Sequence, residues 1–189
     1  MDLWRCQLWT ELEELERVRL HLSEVTDKLD ALAGSDTGIR RLQTTPGVGP
    51  RLAETVVAVL DDPHRFQNAK QVGSYVGLTP RQFESGQMSH QGRISKKGNA
   101  LLRALLVEVS WLALRHNAWA RETYERVLRG DPSRKKVAIV AVARKLLVRC
   151  WAMWRDETPW SPPAGSGPDT GPPEETRATS RKDFYTEAA

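Results

Sequence analysis

Two cysteines, four scattered histidines and no long apolar run set the first limits on this 189-residue chain. A helix that crosses a bilayer needs about 20 consecutive apolar residues, and no such stretch exists, so no membrane span is expected. The first residues, Met1-Asp2-Leu3-Trp4, lack the basic-then-apolar order of a secretory signal. Cys6 and Cys150 lie far apart with no CxxC spacing, which argues for reduced thiols in a cytoplasmic protein rather than a disulfide or zinc framework. No histidine has a second ligand type at helical spacing, so no metal site is expected. No strand-period alternation is long enough to support a sheet, and no internal repeat is present. The expected fold is all-α.

What is present is apolar residues at 40% of the chain, enough for one globular core, and a charge distribution that the net +4 conceals. Residues 1–36 carry four basic and nine acidic side chains, and residues 37–80 carry five and three. Residues 81–155 carry sixteen and five, and residues 156–189 carry three and seven. One contiguous block is thus net +11 between acidic flanks. A solvated helical face can be basic without meaning, but this concentration points to a polyanion, with nucleic acid the leading partner.

Three segments follow. Over residues 1–36, Leu8, Leu15, Val18, Leu22, Val25, Leu29 and Leu32 recur in a three/four alternation, with Leu12 beside them and Gly34 as a stop. That is a coiled-coil pattern, compatible with a helix that packs on its own domain or with one that self-associates. Residues 37–155 read as a compact helical domain. A short helix containing Arg40 and Arg41 leads into Pro46-Gly47-Val48-Gly49-Pro50, and a second helix starts at Pro50-Arg51. This resembles a helix-hairpin-helix, whose glycines let backbone approach a phosphate and whose helix-start amides bind it; a plain αα-turn fits as well. Further helices are expected over 68–76, from Ser95 as a cap, over 117–128 and over 133–154. Residues 156–189, rich in Pro, Gly, Ser, Thr and acid, are expected to form a disordered tail.

Residues 79–92 read as a polar loop. Ser85 within it, flanked by Arg81 and Arg93, has the elements of a nucleophile for a phosphodiester, although a loop serine more often only closes a turn. No histidine is adjacent, and His90 lies five residues on. Ser95, Lys96 and Lys97 before the next helix form a second expected phosphate site, with Arg103 beyond them.

The combination Pro46-Gly47-Val48-Gly49, Phe66, Gly73, Tyr75-Val76-Gly77-Leu78-Thr79-Pro80, Glu84-Ser85-Gly86, Gly92-Arg93-Ile94-Ser95-Lys96-Lys97-Gly98-Asn99 and Leu102-Arg103 resembles the C-terminal domain of insertion-sequence transposases of family 110 and its 1111 branch. The resemblance covers about residues 37–155. It implies a bacterial, cytoplasmic DNA recombinase in which Ser85 becomes covalently joined to DNA. It also implies a guide RNA as a further partner and a coiled coil that pairs with itself or with a full-length transposase. In that family an N-terminal resolvase-like domain binds Mg²⁺ through a DEDD carboxylate set. No such set precedes residue 37, so a transposase part lacking that domain, and any cofactor of its own, is expected. A dimeric, non-catalytic DNA- or RNA-binding regulator is the alternative, and a decayed gene fragment a third reading.

Overall fold

The structure is a computed structural model that describes residues 3–85 and 88–162; the side chains of 82–91 lie outside the described set. Seven α-helices and one hairpin make up the described residues: α1 (Leu3–Ser35), α2 (Thr37–Leu42), α3 (Pro50–Leu60), α4 (Ala69–Val76), β1 (Pro80–Ser85), β2 (Met88–Ile94), α5 (Ala100–His116), α6 (Ala118–Leu128) and α7 (Lys135–Arg155). The all-α expectation holds, and α7 is the organising element. Its residues Ala138, Val142, Leu146 and Cys150, with Ile139, Ala143, Leu147 and Trp151 beside them, recur every four positions and are buried. They pack on α5, α6, α4 and α2. Deep in this core are Leu42 of α2, Leu52 and Val56 of α3, Val72 of α4, and Leu102 and Leu106 of α5.

Helix boundaries follow from side chains that satisfy the free backbone groups of each end. Asp36 accepts from the Ile39 amide at 3.0 Å and starts α2, and Pro50 occupies the first turn of α3. Asn68 accepts from the amides of Lys70 and Gln71, both at 3.1 Å, and starts α4. Gly77, in the left-handed conformation at φ 79°, ends that helix. Asn117 ends α5 and starts α6: its amide donates to Ala113 O at 2.8 Å, and its Oδ1 accepts from the Ala120 amide at 3.2 Å.

Three expectations need correction. The 79–92 stretch is not a loop but an antiparallel hairpin, with Pro80 paired to Ile94, Phe83 to His90 and Ser85 to Met88. The two residues joining the strands, Gly86 and Gln87, lie outside the described residues. Ser95 does not cap α5; Asn99 does, accepting from the Leu102 amide at 2.9 Å. Finally, the tail does not leave the domain at residue 156. Trp160 packs edge-on against Trp119 with ring centroids 5.6 Å apart, its amide donates to Thr44 Oγ1 at 2.8 Å, and the Arg149 guanidinium sits over its ring. Residues 163–189 of the expected tail lie outside the described residues.

The first helix is about 50 Å long at 1.5 Å per residue, and it touches the domain only near its end. Ala33 is its buried residue, and Arg51 of α3 reaches back to Asp30 at 2.7 Å and to Thr26 O at 3.3 Å. Leu8, Leu15, Val18 and Leu22 are all at least half exposed. Packing on its own domain therefore accounts for only the last turns of the seam. No described helix is long and apolar enough to cross a membrane.

Candidate nucleic-acid interface

The turn 46–49 is held from inside. Gly47 has φ 91°, and a Cβ there would stand 3.0 Å from the Ala113 backbone of α5. Val48 is buried in the core, and the Asn117 amide group reaches Pro46 O at 3.5 Å. Gly47 and Val48 thus fix the turn against α5 and do not face outward. Gly49 is different: it is exposed, nothing lies within 4 Å of its Cβ position, and no side chain caps the start of α3 that it precedes. The two arginines of α2 also diverge. Arg40 is exposed, whereas Arg41 is largely covered and meets Glu157 at 3.5 Å. Arg51, paired with Asp30 and Glu54 at 2.7 Å each, ties α1 to α3.

The second expected phosphate site resolves into a structural lock with two outward lysines. Added Cβ atoms on Gly77 and Gly98 would fall 1.9 Å from Lys97 O and 2.0 Å from Tyr75 O. Only glycine permits the end of α4 and loop 95–99 to run this close. The Ser95 amide donates to Thr79 O at 2.8 Å and the Lys96 amide to Gly77 O at 3.1 Å, so neither is open to an anion. Arg103 closes the lock: its Nη1 lies 3.0–3.3 Å from the carbonyls of Val76, Lys97, Gly98 and Asn99. Its charge is spent on backbone oxygens. Lys96 and Lys97 remain exposed, as do Arg93 and Arg81, the latter donating to Ser95 O at 3.2 Å.

A groove of about 1180 Å³ runs between α4, the base of the hairpin and α7. Its more deeply buried lining is apolar: Leu78 is buried and Ile94, Trp119, Val140 and Val148 are half-buried. Seven cations share the lining. Lys136, Arg144, Lys145 and Arg149 come from the face of α7 opposite the core, Arg93 and Lys96 from the hairpin side, and Lys70 from α4. Among the described residues no acidic side chain lines it. Among the described residues none of these seven cations has a carboxylate within ion-pair distance. Arg149 alone is partly engaged, donating to Ser161 O at 2.5 Å.

Ser85 stands at the far end of β1 from this groove. Its register partner is Met88, while Pro80, at the base of the strand, lines the groove. Five residues of extended chain separate the two, roughly 16 Å. The Ser85 side chain is outside the described set, as are those of its neighbours from 82 to 91. His90 is paired with Phe83, one alternate position along the ladder from Ser85.

Of the residues singled out from sequence, the structure gathers Arg93 and Lys96 into the groove and leaves Arg40, Gly49, Arg81 and Lys97 exposed. It turns Gly47, Val48, Arg51, Ser95 and Arg103 toward internal contacts. Lys70, Lys136, Arg144, Lys145, Arg149 and Trp119 were missed as site residues. The available signal was a second face on α7: Lys136, Val140, Arg144 and Val148 recur every four residues, as do Val137, Ala141, Lys145 and Arg149. Among the described residues, no group of three or more His, Cys, Asp or Glu is arranged to hold an ion.

Comparison with known proteins matches residues 39–125 to the model of the transposase IS116/IS110/IS902 family. The chain is similar to a probable family 20 transposase of Pseudomonas aeruginosa, 31% identical over 152 residues that make up 79% of this chain and 45% of the relative. It is similar to the transposase for insertion sequence element IS1111A of Coxiella burnetii, 34% identical over 160 residues, 80% of this chain and 42% of the relative. A pilin gene-inverting protein of Moraxella lacunata is 32% identical over 120 residues, 63% of this chain and 37% of its own length. The chain thus spans less than half the length of these relatives.

Proposed function

This chain belongs to the IS116/IS110/IS902 transposase family through residues 39–125, and from that premise we propose that it is the DNA-handling, serine-bearing part of an insertion-sequence transposase. The observation that carries the reading is the groove whose described lining holds seven cations and no acidic residue. Phosphates would lie along Lys136, Lys145, Arg93 and Lys96, where Coulomb attraction is sequence-independent. The uncapped start of α3 behind Gly49, with Arg40 on the preceding helix, offers a further phosphate contact through backbone amides.

Ser85 is the proposed nucleophile. Its Oγ attacks a phosphodiester phosphorus, its proton passes to a base, and the displaced strand leaves with the former bridging oxygen. Arg81 and Arg93 stand at the base of the same hairpin, where they attract the DNA backbone as it approaches Ser85. The Mg²⁺ that the family resemblance implies does not fit the residues described here, since the acids of α1 lie along an exposed helix and form no ligand group. No step is assigned to it in this chain, and a metal-dependent partner domain supplied in trans belongs to the proposal, as does a guide RNA.

The test is a complementation assay. This chain is mixed with a full-length relative whose own serine is replaced by alanine, and covalent protein–DNA adducts are resolved by denaturing electrophoresis. An adduct on this chain that vanishes with Ser85→Ala is expected. An adduct that survives Ser85→Ala removes the serine from the chemistry and turns attention to Ser89 and Ser95. The open apolar seam of α1 favours a second reading, a dimeric DNA-binding regulator; that protein would bind DNA and form no adduct with any partner.

A further inference from the structure

We infer that the groove between α4, the hairpin and α7 takes an unpaired DNA strand, with bases on its apolar lining and phosphates on its cations. This rests on the nucleic-acid reading above and specifies the form of nucleic acid at that site.

The composition of the lining is the argument. An intact duplex presents phosphate and sugar on its outside, and its bases are reached only by a convex element that enters a groove of the DNA. Here the protein surface is a groove in which Leu78, Ile94, Val140 and Val148 are buried or half-buried, whereas Lys70, Arg93, Lys96, Lys136 and Lys145 are exposed. Phosphates of a duplex would meet the exposed cations and leave Ile94, Val140 and Val148 in water. An unpaired strand satisfies both parts: its bases cover apolar surface and its backbone follows the cations, the arrangement by which single strands are held without sequence preference. Trp119 in the lining adds an aromatic surface of the type on which a base stacks.

What the lining omits is equally specific. Among the described residues, no Asn, Gln, Ser, Thr, Asp or Glu contributes to it. The described side chains therefore offer base edges no partner with both donor and acceptor, and offer a ribose 2′-hydroxyl no acceptor. Binding should be sequence-tolerant and should gain nothing from RNA. The volume, about 1180 Å³, exceeds the roughly 300–1,000 Å³ of ordinary small-molecule clefts. The hairpin forms one wall and carries Ser85 at its far end. A strand seated in the groove can therefore continue along β1 toward the proposed nucleophile, which suits DNA that has been opened near the exchange point.

The probe is a fluorescein-labelled thymidine 12-mer, compared with a duplex of the same length and with uridine 12-mer. Anisotropy is read at one fixed salt concentration. Val137→Ser and Val140→Thr remove apolar surface from the groove without changing charge, and helical circular dichroism checks that each variant folds. The single DNA strand should bind more tightly than the duplex, and each variant should weaken it roughly tenfold while leaving duplex binding unchanged. Lys136→Ala should weaken both. Salt-dependent duplex binding with a weaker or equal single strand, insensitive to Val137 and Val140, overturns the groove assignment and leaves the nucleic-acid reading standing. Uridine binding tenfold tighter than thymidine also overturns it. Failure of every probe to bind overturns both.

Discussion

Gly47 and Gly49, two residues apart, make opposite demands on a methyl group. At Gly47 an alanine would adopt φ 91° with its Cβ 3.0 Å from the Ala113 backbone. A side chain at positive φ alone costs about 1–2 kcal/mol, so Gly47→Ala should lower the melting temperature by several degrees. Gly49→Ala meets open space at an ordinary φ of −88°. It should leave the melting temperature unchanged and weaken DNA binding, because the methyl group stands where a phosphate would approach the start of α3. A melting curve and a binding isotherm on each variant separate the two roles; equal DNA affinity for Gly49→Ala and the parent returns the turn to a purely structural part. Burial pushes the Cys150 thiol up to about 12 from the ordinary 9.0, while Cys6 is exposed. One thiol should therefore react with a disulfide reagent in the native protein and two after denaturation. The sign follows from the raised value: keeping the thiol protonated stabilises the fold below pH 9.0, and that contribution is lost as pH rises toward about 12.

At the level of elements, the hairpin base, loop 95–99 and the end of α4 form one unit through Arg103. Arg103→Ala leaves four carbonyls without their charged donor and should cost about 1–3 kcal/mol in a denaturant melt. Loss of DNA binding with full stability would instead make Arg103 a phosphate contact. Elements set by local chemistry were legible in the sequence: Asn68 and Gly77 bracket α4, Pro50 opens α3, and the four-residue recurrence on α7 marks its core face. The hairpin was not, because its strands PRQFES and MSHQGRI lack the alternation that a half-buried sheet imposes. The Gly86-Gln87 dipeptide between them is of the Gly-X type that joins two-residue hairpins, and was the one local cue. Ser95 was misread as a cap because Asn99, four residues on, has the same competence, and only tertiary placement chooses between them. The groove was illegible for a related reason: Lys70, Arg93 and Lys145 are far apart in sequence, and nothing local brings them together. For α1 the open seam from Leu8 to Leu32 predicts self-association, since burial of such a stripe is what stabilises a long helix in water. Sedimentation should give a mass that rises with concentration; a constant 21.3 kDa contradicts it.

Across the whole molecule, charge is segregated by segment: net −5 over residues 1–36 and net +11 over residues 81–155. The acids of 1–36 sit mostly on an extended helix that leaves the domain, and six of the sixteen bases of 81–155 line the groove. The arrangement keeps the two from neutralising each other and leaves a field that attracts a polyanion to one face. The measurement that bears most directly on this account is a salt titration of binding to random-sequence duplex DNA. With about six phosphates neutralised, the logarithm of affinity should fall against the logarithm of salt concentration with a slope near −5, and replacing Lys136 and Lys145 with alanine should reduce that slope by roughly 2. A slope near zero, or one that these two replacements leave unchanged, would contradict it.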